Sequence, residues 1–377
     1  MKTRIHIIMF LVLSTFLIFS CKGENEEYEI ASPQIIVSNL MPCIGEEVLF
    51  YYQTDISGNP KWDFGDGSTS EDALTKHIFT ENGNYNVSLE FSDGKGGKTT
   101  SSISVQVMGK RLTDELLSLV DNPSQIWICA HRANTLYGKQ NGIPENSIEA
   151  IQKSIEVGAD LVEIDVRTTY DGYFVLMHDA TINRTTNATG YVKDKTLAQL
   201  KSFKLKAANG VITNCTIPTL EEALVAGRGK IFFNMDKVGD ISDLRTIRKL
   251  VTLIDSLNMF DRVLFYVSGN KETANDIKDV NSRSLIFPWA STISAINSWN
   301  SYSNTNLIQL DYQVTDVSGI ISEARVKKMI SYSNTLNNAG DNQMLKGNYN
   351  CIKQIKSLQL QVIQTDYPEI VKNQIEQ

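Results

Sequence analysis

Apolar positions follow two different rhythms along this chain. From about residue 33 to 108 they alternate in short β-rich runs: Val48 to Tyr52, His77 to Phe79, Tyr85 to Phe91 and Ser102 to Val107. Turn-forming clusters separate them, at Asn59-Pro60, Gly65-Asp66-Gly67, Asn82-Gly83 and Asp93-Gly94-Lys95-Gly96-Gly97. That spacing predicts a small all-β, immunoglobulin-like sandwich. From residue 109 the apolar runs lengthen and alternate with helical periodicity. β-like runs fall at Gln125 to Ala130, Leu161 to Val166, Lys230 to Met235, Arg262 to Val267, Ser284 to Pro288, Leu307 to Leu310, Lys328 to Ser333 and Leu360 to Gln364. Helical patterns lie between them, including Ser147 to Val157, Leu220 to Ala226 behind a Thr219/Glu222 capping box, and Leu244 to Leu257. Eight strands alternating with helices predict an α/β fold, a (β/α)8 TIM barrel over 109–377, with its chemistry at the C-terminal strand ends.

The first residues have a third pattern. Lys2 and Arg4 precede an almost wholly apolar run from Ile5 to Phe19, and Ser20-Cys21 follows. The run is short for a bilayer span and suits a cleaved signal peptide over 1–20. Leu17-Ile18-Phe19-Ser20-Cys21 resembles a bacterial lipobox, which implies acylation of Cys21 and an exported protein anchored by lipid to a bacterial membrane, periplasmic or at the cell surface. The polar stretch over 21–32 would be its tether.

The chain has 377 residues and a formal net charge of −7, so nothing marks a basic face for nucleic acid. Beyond Cys21 stand Cys43, Cys129, Cys215 and Cys351, at spacings that match neither a disulfide framework nor a zinc site.

Candidate chemistry gathers at the predicted strand ends. His131-Arg132 closes the first barrel strand. Glu163 and Asp165 are two residues apart on the second, so alternation puts both carboxylates on one side. Adjacent carboxylates repel unless a cation lies between them, and one hard divalent ion, Ca2+ or Mg2+, suits such a pair. Asp171-Gly172 signals a two-residue hairpin; pairing outward from it sets Val166 opposite Met177 and Asp165 opposite His178. Only four histidines occur in the chain, and two of them, His131 and His178, fall near one acidic pair, so they are candidates for a proton-transferring pair.

Two resemblances follow. Trp62-Asp63-Phe64-Gly65-Asp66-Gly67, with His77-Ile78-Phe79 and Gly83-Asn84-Tyr85, resembles a PKD domain over about 33–108. Asp63 and Asp66 there are read as satisfying turn amides rather than holding a metal. The module is expected to be a spacer, or to contact a cell-surface protein or glycan. His131-Arg132, Pro144-Glu145-Asn146-Ser147, Glu163-x-Asp165, Asp171-Gly172, His178-Asp179, Ile217-Pro218-Thr219-Leu220-Glu221-Glu222 and Thr365-Asp366-Tyr367-Pro368 together resemble the glycerophosphodiester phosphodiesterase family.

The second resemblance implies hydrolysis of a small-molecule glycerophosphodiester to glycerol 3-phosphate and an alcohol. It implies His131 and His178 as acid and base, Arg132 on the phosphate, and Glu163, Asp165 and a third acid as metal ligands. In Phe232-Phe233-Asn234-Met235-Asp236-Lys237, Asp236 is the choice for that acid. Alternation puts Asn234 and Asp236 on one face and Lys237 on the other, which leaves a lysine of the site in question. Glu145, Asn146, Asn234 and Lys237 are assigned supporting or substrate-contacting roles. Ala133 and Ser147 stand where the family usually has glycine and threonine. Residues 180–215 leave the barrel plan and are expected to overhang the site. The alternatives are a phospholipase-like barrel that forms a cyclic phosphate, and a non-catalytic surface-binding protein.

Overall fold

The computed structural model describes residues 30–300, 302, 307–311, 316–336 and 340–377. The signal-peptide reading, Cys21 and the tether before residue 30 lie outside the described residues. No helix among the described residues is long and apolar enough to cross a membrane. The chain divides into two compact units: one runs through Asn39 and takes in Val48–His77 and Tyr85–Val105; the other holds Leu40–Glu47, Ile78–Asn84 and Gln106–Gln377.

The N-terminal β region forms two antiparallel sheets. One orders strands Gln34–Val37, Glu47–Gln53 and Leu74–Ile78; the other orders Thr69–Ser70, Asn59–Asp63, Gly83–Ser92 and Lys98–Val107. Trp62 and Phe64 are buried on one side, with Phe50 packed edge-on to Phe64 at 5.3 Å between ring centres. Asn59-Pro60, read as a turn, lies instead inside a strand. Pro60 pairs with Phe91 on one side, and the neighbouring strand on the other side reaches only Trp62 and Asp63, so the missing N–H breaks no ladder there. Asp63 accepts from the Gly65 amide at 2.8 Å and Asp66 from the Ser68 amide at 3.0 Å, the turn-capping role expected of them.

The second unit contains a closed parallel barrel. Its eight strands are Trp127–Ala130, Leu161–Thr168, Phe232–Asp236, Val263–Ser268, Leu285–Ala290, Leu307–Leu310, Ile330–Asn334 and Val362–Thr365. Each pairs with the next, and the last pairs with the first through Ile363↔Ile128 and its neighbours. The first and second join through Cys129↔Leu161 and Ala130↔Val162, which closes the ring. Both sides of these strands are buried, as the first strand shows at all four of its positions. Helices start where the sequence marks them: Ser147 caps Ile148–Glu156 by accepting from the Ala150 amide, and Thr219/Glu222 close a capping box on Leu220–Gly227. All four cysteines among the described residues are free.

The hairpin after the second strand differs from expectation by one residue. Thr168 pairs with Phe174, Arg167 with Val175 and Val166 with Leu176, so Asp165 lies opposite Met177, whose amide donates to the Asp165 carbonyl at 2.9 Å. Three residues, Tyr170 to Gly172, make the turn instead of two. Asp171 is drawn into it by the Thr169 hydroxyl at 2.6 Å and the Leu197 amide at 3.0 Å, and Gly172 takes the left-handed conformation at φ +81°. A three-residue hairpin of this type requires such a residue at its end. The predicted Asp165–His178 opposition is therefore absent.

Residues 180–215 fold as a small body of their own. A short helix, Leu197–Lys201, and a hairpin of Lys204–Lys206 with Ile212–Thr216 surround Ile182, Val192, Leu200 and Leu205, all buried with Val175, Met177 and Ile217.

Candidate active site

Strand register assembles the acidic centre. In the parallel pair of the second and third strands, Glu163 lies beside Asn234 and Asp165 beside Asp236. One ligand oxygen from each of Glu163, Asp165 and Asp236 falls within 4.8 Å of the others. Glu163 and Asp165 are buried, at 2% and 0% exposure, and Glu163 Oε1 and Asp165 Oδ1 have no hydrogen-bond partner. Burial, and then the carboxylates of Asp165 and Asp236, push Glu163 well above the usual carboxylate range. Buried oxygens left unpaired are costly, and a hard cation is the partner that three convergent carboxylates fit.

The remaining oxygens of the pair are held in place. Asn146, itself buried at φ +53°, donates from Nδ2 to Asp165 Oδ2 at 2.8 Å and accepts from the Asp165 amide at 3.1 Å. Glu163 Oε2 accepts from the Arg132 amide at 2.8 Å. That amide is aimed by two consecutive left-handed residues, Arg132 at φ +53° and Ala133 at φ +55°. For alanine this conformation costs about 1 kcal/mol, which gives a physical reason for a glycine there.

Lys237 corrects the alternation argument. Its φ of +66° swings the chain out of strand geometry at the end of the third strand. Its Nζ then lies 2.9 Å from Asp236 Oδ2 and 3.8 Å from Asp165 Oδ1, so Lys237 does face the site. Burial works against its charge, but Asp236, Asp165 and Glu163 outweigh it and hold Lys237 above the usual lysine range. Asn234 is buried too, but its amide donates to the Tyr332 hydroxyl at 3.2 Å rather than to any of these carboxylates.

Both histidines carry a carboxylate on Nδ1. His131 Nδ1 lies 2.8 Å from Asp366 Oδ1, at the end of the eighth strand, and His178 Nδ1 lies 2.7 Å from Asp179 Oδ1. On the other edge of its ring, His131 Nε2 accepts from Arg132 Nε at 3.2 Å and is 3.9 Å from Glu163 Oε2. These partners assign the neutral tautomer with its proton on Nδ1. His178 Nε2 has no hydrogen-bond partner among the described residues.

A continuous polar chain joins the two rings. Arg132 donates to Glu145 at 3.1 Å; Glu145 accepts from Arg184 at 2.7 Å; Arg184 donates to Asp179 at 2.9 Å, and Asp179 meets His178. Arg184 first, then His178, hold Asp179 far below the usual carboxylate range. Burial would raise Asp366, but His131 and Lys139 outweigh it and hold it far below as well. The sequence reading placed Asp179 and Asp366 in motifs without giving them roles, and missed Arg184 altogether. An acid directly after the last barrel strand was a usable signal for Asp366; nothing in the local pattern marks Arg184, which comes from the 180–215 body.

Comparison with known proteins agrees with the barrel fold. Residues 131–369 match the Glycerophosphoryl diester phosphodiesterase family, and residues 43–107 match a PKD domain. The chain belongs to the glycerophosphoryl diester phosphodiesterase family. It is 35% identical over 154 residues to a glycerophosphodiester phosphodiesterase of Caldanaerobacter subterraneus, a match covering 40% of this chain and 61% of that protein. It is 38% identical over 112 residues to human glycerophosphodiester phosphodiesterase 1, covering 29% of this chain and 32% of the human one. These matches thus span less than two thirds of either relative. The solved structure of a glycerophosphoryl diester phosphodiesterase from Parabacteroides distasonis superposes with a TM-score of 0.59 at 27% identity, covering 70% of this chain and 91% of that one. The fold is shared with an Oleispira antarctica phosphodiesterase solved with its product sn-glycerol-3-phosphate, at 20% identity and a TM-score of 0.52 over 67% of this chain and 98% of that one.

Proposed function

We propose that this chain hydrolyses glycerophosphodiesters to glycerol 3-phosphate and an alcohol. The observation that carries the reading is the pair of carboxylate-backed histidines linked around one buried acidic cluster. The product bound to the Oleispira antarctica neighbour supports the substrate class. Glu163, Asp165 and Asp236 are the residues to hold one divalent cation, Ca2+ or Mg2+; when bound, it supplies positive charge opposite the phosphoryl oxygens.

The protein groups divide the remaining work. Arg132 presents its guanidinium to the phosphate, where negative charge builds in the transition state. One histidine, using Nε2, takes the proton of the neighbouring glycerol hydroxyl as that oxygen attacks phosphorus. The other protonates the departing alcohol, and water then opens the cyclic phosphate. Asp366 and Asp179 face Nδ1 of each ring and fix its orientation; Asn146 holds Asp165, and Glu145 positions Arg132.

We place this activity outside the cytoplasm: Cys21 carries lipid, residues 21–32 tether the folded part, and the PKD-like module is a spacer that contacts a surface protein or glycan. The activity is tested by coupled detection of glycerol 3-phosphate from a panel of glycerophosphodiesters, with excess EDTA and after Ca2+ or Mg2+ is restored. Release from no diester, with metal present, would overturn the reading.

A further inference from the structure

Beside the acidic cluster lies a cleft of about 380 Å3 that the proposed reaction has not yet used. Lys237 forms part of its wall while its Nζ contacts Asp236, so the cleft adjoins the candidate centre through that side chain. Val166, Arg167 and Thr168, which follow Asp165 on the second strand, form a second wall. Arg167 also donates through Nε and Nη2 to the His178 carbonyl, at 3.0 and 2.6 Å. The 180–215 body supplies Ala180 and Tyr191 to Lys193, and the segment after the third strand supplies Asp240 to Asp243 with Thr246.

Resting on the function proposed above, we infer that this cleft receives the alcohol half of the diester, and that it selects an uncharged, polyhydroxylated alcohol over a cationic one. The volume lies in the range of ligand sites and exceeds what a three-carbon glycerol unit fills. The charges then set the class. Lys237 is committed to Asp236, and Asp243, still anionic, accepts from the Arg245 and Thr246 amides at the start of a helix. What remains toward the cleft is Lys193, the Nη1 of Arg167, the hydroxyls of Ser242 and Thr246, and Asp240, which has no ion-pair partner among the described residues. Those are donors and acceptors at several points, a lining that suits a ring or chain bearing many hydroxyls.

A quaternary ammonium group needs the open face of an aromatic ring. Tyr191 is the one aromatic side chain lining the cleft, and Lys193 Nζ already sits 5.9 Å from its ring centre. That ammonium repels a choline head brought against the same ring. Tyr191 remains half exposed, so its ring can still cover the apolar face of a polyol.

The test compares kcat and KM of the full chain on glycerophosphoinositol, glycerophosphoglycerol and glycerophosphocholine, in wild type and in Lys193→Glu and Asp240→Ala. The two polyol diesters should have kcat/KM about tenfold or more above the choline diester, the scale set by hydrogen-bonding groups left unpaired with the wrong substrate. Lys193→Glu should narrow or reverse that ratio, mainly through KM. Asp240→Ala should raise KM for the polyol diesters and leave the choline diester unchanged. Turnover that favours the choline diester, or ratios unmoved by both substitutions, would overturn the cleft assignment while leaving the proposed activity intact. Absence of turnover on all three would instead count against the activity itself, and with it this inference.

Discussion

His131 Nδ1 lies 2.8 Å from Oδ1 of Asp366, a carboxylate that the chain supplies 235 residues later. The same relation recurs at His178 with its immediate neighbour Asp179, at 2.7 Å. One partner is brought by barrel closure and the other by the chain itself, yet in both rings the carboxylate takes Nδ1 and leaves Nε2 to other contacts. Symmetric support of this kind suits a reaction in which each ring must gain and lose a proton once per cycle.

Asp366→Asn should therefore lower kcat by about ten- to a hundredfold with little change in KM, because a neutral amide, which can also present its NH2 to the ring, replaces the anionic acceptor that orients it. The variant should also change the acid limb of stability. Asp366 is held below its ordinary value of 3.8, so its contribution is present above that value and is lost as pH falls toward its folded-state value. Urea midpoints measured from pH 6 downward should fall less steeply in the variant. Equal slopes would show that the Asp366 pairing contributes nothing to the fold.

Arg184 gives a second test, since it donates to both oxygens of Asp179, including the Oδ1 that meets His178. Removing its guanidinium takes away the largest cause that holds Asp179 below the usual carboxylate range and leaves that carboxylate to His178 alone. Arg184→Ala should change the shape of the pH–rate profile, because Asp179 loses the partner that depresses it most, and Arg184→Lys should change it less. A lower rate at every pH with no change of shape would make Arg184 merely structural.

The acidic centre should respond to metal without reference to turnover. Ca2+ or Mg2+ should raise the melting temperature of wild type, because a ligand that binds only the folded state stabilises it. Glu163→Gln should melt higher than wild type in excess chelator, since it removes one charge from a buried, mutually repelling set, and should lose most of the metal-induced rise. A full rise in this variant would exclude Glu163 as a ligand.

Much of this was legible in the sequence, for physical reasons that also mark the limit. Barrel strands buried on both faces give unbroken apolar runs, so all eight were located, and Glu163 and Asp165 shared a side by simple alternation. Asp236 lies beside Asp165 through the register between two strands, which no single-strand pattern encodes. The hairpin slipped by one residue because Asp171 bonds Thr169 and Leu197, the latter 26 residues away. Lys237 was assigned to the wrong face because alternation holds only while φ stays extended, and its φ is +66°. Arg184 acts from a segment whose own small core, not any strand or helix period, sets its position.

Export is tested on the living cell. A fatty-acid analogue should label the wild-type protein, and Cys21→Ala should abolish the label. Label kept in that variant would sink the lipoprotein reading.

The division of labour between the two histidines is the centre of the account, and leaving-group dependence tests it most directly. On a natural diester, His131→Ala and His178→Ala should each lose about 10²–10⁴ in kcat. On a nitrophenyl diester, whose leaving group needs no proton, one variant should recover most of that loss and the other should not. Equal rescue of both, or full activity in either variant on the natural diester, would contradict the assignment.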